Sequence, residues 1–190
     1  FGAGPVTTGT LGPNNNPAVN FTGNNAYQGT ASPPGITGSG SRTIEVWAFN
    51  PAVAGEETLV AWGRRGGGNG TNMSFNYGTN NDFGAVGHWG SPDLGWDGSP
   101  ATGNTPAAGQ WHQLTYVYDG DSARVYADGQ LKNSDNVALN THAGYNILVG
   151  AQNQNSGVPG IPDLGGTSAD LSIGRVRVHD GALTAADVVN

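Results

Sequence analysis

Fourteen acidic residues stand against seven basic ones in this 190-residue chain, and their spacing decides what chemistry is open to them. Only three are glutamates: Glu45, Glu56 and Glu57. Neighbouring positions on an extended strand point to opposite faces, so Glu56 and Glu57 do not flank one glycosidic bond as an acid and its partner carboxylate must. Asp93 and Asp97 lie close together in a Pro- and Gly-rich loop, a setting in which paired acids more commonly form turns or bind metal. His88, His112, His142 and His179 are scattered, with no helical His-x-x-x-His pair and no serine in a nucleophile elbow. With no cysteine in the chain, thiol nucleophiles, thiolate zinc sites and disulfides are excluded. The expectation is therefore a protein that is not an enzyme; a polysaccharide hydrolase or lyase working through Asp93 and Asp97 ranks last among its functions.

Binding chemistry is better represented. Between Trp62 and Asp97 the sequence gathers Trp62-Gly-Arg-Arg65, a Gly-rich loop, Asn72-Met-Ser-Phe-Asn-Tyr77, His88-Trp89 and Trp96-Asp97. Sugars offer apolar C–H faces that stack on indole rings and hydroxyl rims that pair with Arg, Asn, Asp and His. The candidate ligand-binding residues are thus Trp62, Arg64, Asn76, His88, Trp89, Trp96 and Asp97. If the flanking segments are neighbouring strands, alternation brings Arg64, Asn76 and His88 to one face. Trp89 and Trp96, each beside glycine, are expected to be partly exposed, whereas Trp62 is as readily a core residue as a site residue. The loop Gly66 to Gly70 lacks a following helix and a Lys-Ser/Thr ending, so it is no phosphate loop.

The elements that must position these groups read as strands. In Arg42 to Asn50, Ile44, Val46 and Ala48 alternate with Glu45, Trp47 and Phe49. Further strand segments are Ala18 to Thr22, Thr58 to Gly63, Asn72 to Tyr77, Phe83 to Trp89, Trp111 to Tyr118, Ala123 to Asp128, Tyr145 to Ala151 and Leu171 to His179. Asp119-Gly120 and Asp128-Gly129 supply the positive φ of tight turns and tie Trp111 to Leu131 into a meander. One short helical turn is expected at Thr184-Ala-Ala-Asp187, where Thr184 and Asp187 form a capping box between Leu183 and Val188. Residues 1–16, rich in Gly, Pro, Thr and Asn, read as a linker or loosely attached entry strand, and the folded domain spans 17–190. The opening Phe-Gly-Ala-Gly suggests a processed or excised piece.

Composition narrows the partners. With 33 Gly, 11 Pro and only 11% charged residues, solubility rests on Asn, Ser, Thr and Gly, as in secreted β domains; an extracellular or cell-surface location follows as an expectation. A net charge of -7 and a single lysine, Lys132, repel phosphate backbones, so nucleic acid is not a partner. No apolar run approaches the ~20 residues that a membrane helix needs, so no membrane insertion is expected.

Five stretches, Val19 to Gly23, Thr43 to Pro51, Gly109 to Gly120, Arg124 to Gly129 and Ile173 to Thr184, resemble, in that order, the laminin G-like branch of the concanavalin A-like lectin and glucanase superfamily. The resemblance implies an all-β fold: a jelly roll, two antiparallel sheets in a sandwich, with ligands met on the concave sheet or on rim loops. It implies that Trp47 and Trp111 pack the core and that His112 and His179 are structural; the Glu-x-Asp-x-x-Glu pattern that glucanases of the superfamily carry is absent from this sequence. Relatives often hold one structural calcium at the rim; here Ala26 and Gly174 stand where ligands are usual, leaving Asn24, Asn25 and Asp170 as candidate oxygen donors. The expected function is a non-catalytic carbohydrate-binding or adhesive module of a secreted bacterial protein, with a polysaccharide or glycan as partner. The alternative is a structural subunit of an extracellular surface layer or filament that pairs with copies of itself or with neighbouring domains.

Overall fold

Strand β4 (Arg42–Phe49) sets the architecture because its two faces separate: Ile44, Val46 and Ala48 are buried, while Glu45, Trp47 and Phe49 stay half-buried. It pairs antiparallel with β8 (Trp111–Tyr118), placing Ile44 opposite Tyr116, Val46 opposite Leu114 and Phe49 opposite Trp111. The computed structural model describes residues 7–97, 103–164 and 166–188. Around β4 and β8 a seven-stranded antiparallel sheet runs in the order β1 (Thr7–Leu11), β2 (Pro17–Asn20), β12 (Ser172–Asp180), β4, β8, β9 (Ser122–Ala127), β10 (Gln130–Asn136). The second sheet runs β3 (Tyr27–Ala31), β11 (Asn146–Val149), β5 (Thr58–Gly63), β6 (Asn72–Asn76), β7 (Val86–Gly87). The core lies between them, where Ile44, Val46, Leu114 and Tyr116 meet Val60, Trp62, Met73, Phe75 and Tyr77 in one cluster. The all-β sandwich expected from the sequence is the observed fold.

Local sequence explains the turns and the end of the chain. Asp128 and Gly129 take φ of 52° and 75°, the left-handed pair a tight hairpin requires, and join β9 to β10 with Ala127 opposite Gln130. At the C-terminus, Thr184 Oγ1 accepts from the Asp187 N–H at 3.3 Å and Asp187 Oδ2 accepts from the Thr184 N–H at 3.1 Å, so the capping box forms and α1 (Ala185–Val188) follows. Leu183 and Val188 then pack with Val117 and Tyr126 against the outside of the seven-stranded sheet.

Several boundaries differ from the sequence reading. Thr7–Leu11, inside the segment read as a linker or loose entry strand, is edge strand β1, paired with its own β2; residues 1–6 of that segment lie outside the described residues. The segment Phe83 to Trp89 yields only the two-residue strand β7, because Gly84 and Gly87 leave few side chains to fix a longer pairing. Strand β3, whose residues are all exposed, carries no alternation to be read.

The tryptophans exchange places. Trp96, expected to be partly exposed, and Trp62, as readily core as site in the sequence, are 1% and 0% exposed, whereas Trp47 and Trp111, expected in the core, are half-buried on the outer face of the seven-stranded sheet. The register is the reason: Trp47 alternates with Val46 and Ala48, and Trp111 stands opposite Phe49 on the same outward row, its ring 3.4 Å from where a Cβ on Gly174 would sit. Trp96 is drawn inward against Phe75, ring centroids 6.0 Å apart. We therefore expect Trp62→Ala and Trp96→Ala each to cost about 3 to 5 kcal/mol in urea unfolding, with Trp47→Ala costing less than half as much; equal losses at all three would contradict this placement.

Candidate functional site

Alternation along β6 builds the site. Met73, Phe75 and Tyr77 point into the core, so Asn72, Ser74 and Asn76 line the opposite, outer face of the five-stranded sheet. Ser74 stands opposite Gly87 of β7, which has no side chain to cover it. Loops close around this polar floor and leave a cavity of about 420 Å³ walled by Trp89, Phe83, Arg65, Glu56, Asp93 and Gln152.

The floor is a chain of amide hydrogen bonds. Asn72 Nδ2 donates to the Gly87 carbonyl at 2.9 Å and to Gln152 Oε1 at 3.1 Å, and Gln152 Nε2 donates to Glu56 Oε1 at 2.5 Å. Asn76 Nδ2 reaches the same Glu56 oxygen at 3.4 Å and the Phe83 carbonyl at 3.0 Å. Each amide nitrogen of this network donates, yet Asn72 Oδ1, buried, has no hydrogen-bond partner, and neither has the buried Asp93 Oδ1. Such acceptors are costly to leave empty unless something else supplies a donor.

Trp89 provides the aromatic wall. It is half-exposed and adopts φ of 76°, a left-handed conformation that costs a bulky residue of order 1 kcal/mol and is retained where surroundings enforce it. The enforcement comes from both sides. The Trp89 carbonyl accepts from the Gly70 N–H at 3.0 Å. The loop from His88 to Pro92 is clamped by His88, which is 0% exposed and whose Nδ1 lies 2.6 Å from the Pro92 carbonyl. A carbonyl only accepts, so Nδ1 carries the proton and Nε2 accepts from the Tyr116 hydroxyl at 2.9 Å. Arg65 ion-pairs with Asp163 and places its guanidinium 5.9 Å from the Trp89 ring centroid, a cation–π contact on one side of the indole.

Electrostatics single out two carboxyls. Burial raises Glu56 above the usual carboxylate range, partly offset by Gln152 and by the Arg65 charge. Burial pushes Asp93 up to about 6, against the N–H groups of His88, Trp89 and Gly90, which favour its anion, and with the Glu56 charge adding to the rise. Burial also holds His88 down at about 3, neutral at any physiological pH. A second hollow of about 500 Å³ adjoins the first, sharing Phe83, Gly90 and Asp93 and adding Asp82, Asp97 and Asp135.

Of the residues singled out from sequence, Trp89 lines the cavity and Asp97 the adjoining hollow, where Asp97 accepts from the Asn104 N–H. Asn76 is buried beneath the floor as a support for Glu56. Trp62 is a core residue, its Nε1–H donating to the Ile36 carbonyl at 3.1 Å, and Trp96 is likewise interior. Arg64 is exposed and lies against Gly157, outside the cavity lining. His88 does not share a face with Asn76: it follows the outward Gly87, so alternation turns it inward to Tyr116. The sequence reading passed over Glu56, Arg65, Asn72 and Gln152 as site residues. The first three were within reach of the pattern, since β6 places Asn72 outward and Glu56 and Glu57 face opposite ways; Glu57 indeed turns away, to Asn50 and the Ala54 and Asp170 N–H groups. Gln152, 96 positions from Glu56, carries no local signal.

The calcium donors suggested by the resemblance lie in different settings. Asn24 and Asp170 are exposed, Asn25 Oδ1 is taken by the Thr22 N–H at 3.1 Å, and what Asn25 leaves buried and unpartnered is its amide nitrogen, a donor. Among the described residues no group of three or more acidic or histidine side chains is placed to hold a metal ion.

A laminin G family model of the concanavalin A-like lectin/glucanases superfamily matches residues 22–189. The chain belongs to that superfamily. No curated protein sequence matches it. Among solved structures, the laminin G-like chain is similar to domain 4 of AbnA, an extracellular arabinanase from Geobacillus stearothermophilus, in complex with arabinotriose: 19% identity over 98% of this chain and 81% of that one, TM-score 0.64. It is similar to a heptameric SAP-like pentraxin from Limulus polyphemus, at 14% identity over 90% and 79% of the two chains, TM-score 0.60. It is also similar to a Trypanosoma rangeli sialidase, at 14% identity over 92% of this chain, TM-score 0.59, where it spans only 26% of the enzyme. At these identities the likeness is one of fold.

The Asp93 shift makes a testable statement about stability. A carboxyl whose folded pKa is raised favours the protonated folded state, so its penalty is absent near pH 4, grows between about 4 and 6, and is complete above 6. Asp93→Asn should be more stable than the parent by about 1 to 2 kcal/mol at pH 7.5, the excess being discounted for partial exposure, and equal to it near pH 4. His88 has the opposite sign, stability falling as pH drops below about 6.5, so the difference between variant and parent in chemical denaturation is the quantity to measure.

Proposed function

We propose that this domain binds a carbohydrate in the cavity between Trp89 and the Asn72–Gln152–Glu56 floor, without turning it over. The observation that carries this reading is the pairing of a half-exposed indole with a cavity lining rich in acceptor groups, Glu56, Asn72, Asp93 and Gln152. A sugar ring supplies an apolar C–H face to the indole and hydroxyl donors to the acceptors, which is the combination the cavity lacks internally. The arabinotriose complex of AbnA domain 4 supports the reading as a precedent on the same fold. Composition supports a secreted or cell-surface location, where such a module adheres to a polysaccharide.

A second reading, cleavage of the polysaccharide, is favoured by one observation: Glu56 and Asp93, both held toward protonation, line one cavity. Against it, Glu56 is tied to two amide donors, which fits scaffolding better than proton transfer. Incubation with polysaccharides and analysis for new reducing ends or unsaturated products separates the two readings; released products would replace binding by cleavage.

Trp89→Ala should weaken oligosaccharide binding at least about tenfold in calorimetric titration, with the folded state retained by circular dichroism. Trp47→Ala, on the opposite sheet, should leave affinity unchanged. Loss of binding in the Trp47 variant with none in the Trp89 variant would move the site to the seven-stranded face.

A further inference from the structure

The two hollows on this side of the molecule carry a strongly one-sided charge. Glu56, Asp82, Asp93, Asp97 and Asp135 line them, against the single guanidinium of Arg65. That guanidinium is already ion-paired with Asp163 and laid against Trp89. Because the hollows share Asp93, Phe83 and Gly90, they form one continuous surface on which a chain of several sugar units can lie.

We infer that the site selects a cationic glycan, one whose units carry free amino groups, over neutral and above all over uronate-bearing chains. The inference rests on the carbohydrate reading and goes beyond it in naming the class. Its second support is independent of charge. Asn72, 1% exposed, presents to the cavity a carbonyl oxygen that no donor meets, and the buried Asp93 Oδ1 is in the same condition. An ammonium group offers three donors and no acceptor, so it suits a lining that is short of donors and brings a charge that the surrounding carboxylates favour. A uronate brings only acceptors to a place already rich in them, and its charge is repelled in a setting of reduced dielectric. A neutral hydroxyl fills the acceptors without the charge and ranks between the two. The charged groups that share the hollows with Asp93 are Glu56 and Arg65 in the one and Asp82, Asp97 and Asp135 in the other.

The test is a calorimetric titration of the whole chain with three oligosaccharide series of equal length: glucosamine oligomers, their N-acetylated counterparts and oligogalacturonates. At about pH 6, where the sugar amines are largely protonated, and about 20 mM salt the amine series should bind at least about tenfold more tightly than the acetylated one, and the uronates weakest of all. That ratio should shrink several-fold in about 0.5 M salt, a measurement that needs no variant. It should shrink also in an Asp82→Asn, Asp135→Asn pair, whose side chains are exposed and tolerate the change, and in Asp93→Asn. Uronates binding as well as amines, or a ratio indifferent to salt and to the variants, overturns the inference. If acetylated oligomers bind in a Trp89-dependent way while the charge series is flat, the selectivity claim alone fails. If no member of any series binds, the carbohydrate reading falls and the inference with it.

Discussion

A buried guanidinium holds the two sheets in register. Arg42 is 0% exposed, has no carboxylate partner among the described residues, and donates from Nη1 to the Ile36 carbonyl at 2.8 Å and from Nη2 to Thr141 Oγ1 at 2.9 Å, its Nε left without a partner and its Cζ 5.0 Å from the Tyr118 ring centroid. Burying an unpaired charge is expensive, so neutral acceptors and an aromatic face must surround it closely, and elements that supply them cannot shift independently. The Ile36 carbonyl also accepts from Trp62 of the opposite sheet. Arg42 bears in turn on Tyr116, whose hydroxyl meets His88, whose ring meets Pro92.

This line of polar contacts crosses the sandwich and ends on the loop that presents Trp89 and Asp93. The candidate site on the outer face is thus braced from the core behind it. Trp89 tolerates its left-handed backbone because the residue before it is fixed to the seven-stranded sheet through Tyr116, and Asp93 is held at low solvation because the same loop folds over it. A site that carries unfilled acceptors and a carboxyl raised in pKa is locally destabilising, as sites organised around an absent ligand commonly are.

The fold was largely legible in the residues, and the site only in part. Strand β4 could be read because Ile44, Val46 and Ala48 alternate with polar and aromatic neighbours, and the Asp-Gly turns and the Thr184 capping box carry their own geometry. The face of each tryptophan could not be read so directly. Trp47 and Phe49 make both sides of β4 apolar, and Thr58–Gly63 is buried on both faces, so periodicity offers no vote on Trp62. Glycines around Trp96 suggested exposure, yet Phe75 draws that ring inside. The polar floor depends on Glu56, Asn72 and Gln152 meeting across long sequence separations, and such a meeting exists only once the sheet has formed.

The proposed binding turns on where a sugar touches the protein. Nitrogen-15 NMR titration of the labelled chain with an oligosaccharide reports that contact residue by residue. The account predicts that the Trp89 indole, the Asn72 side-chain amide and the Gly87 and Gly90 backbone amides move together, with Trp47, Gly174 and Arg175 still. Movement confined to the latter three, on the outer face of the seven-stranded sheet, would contradict it.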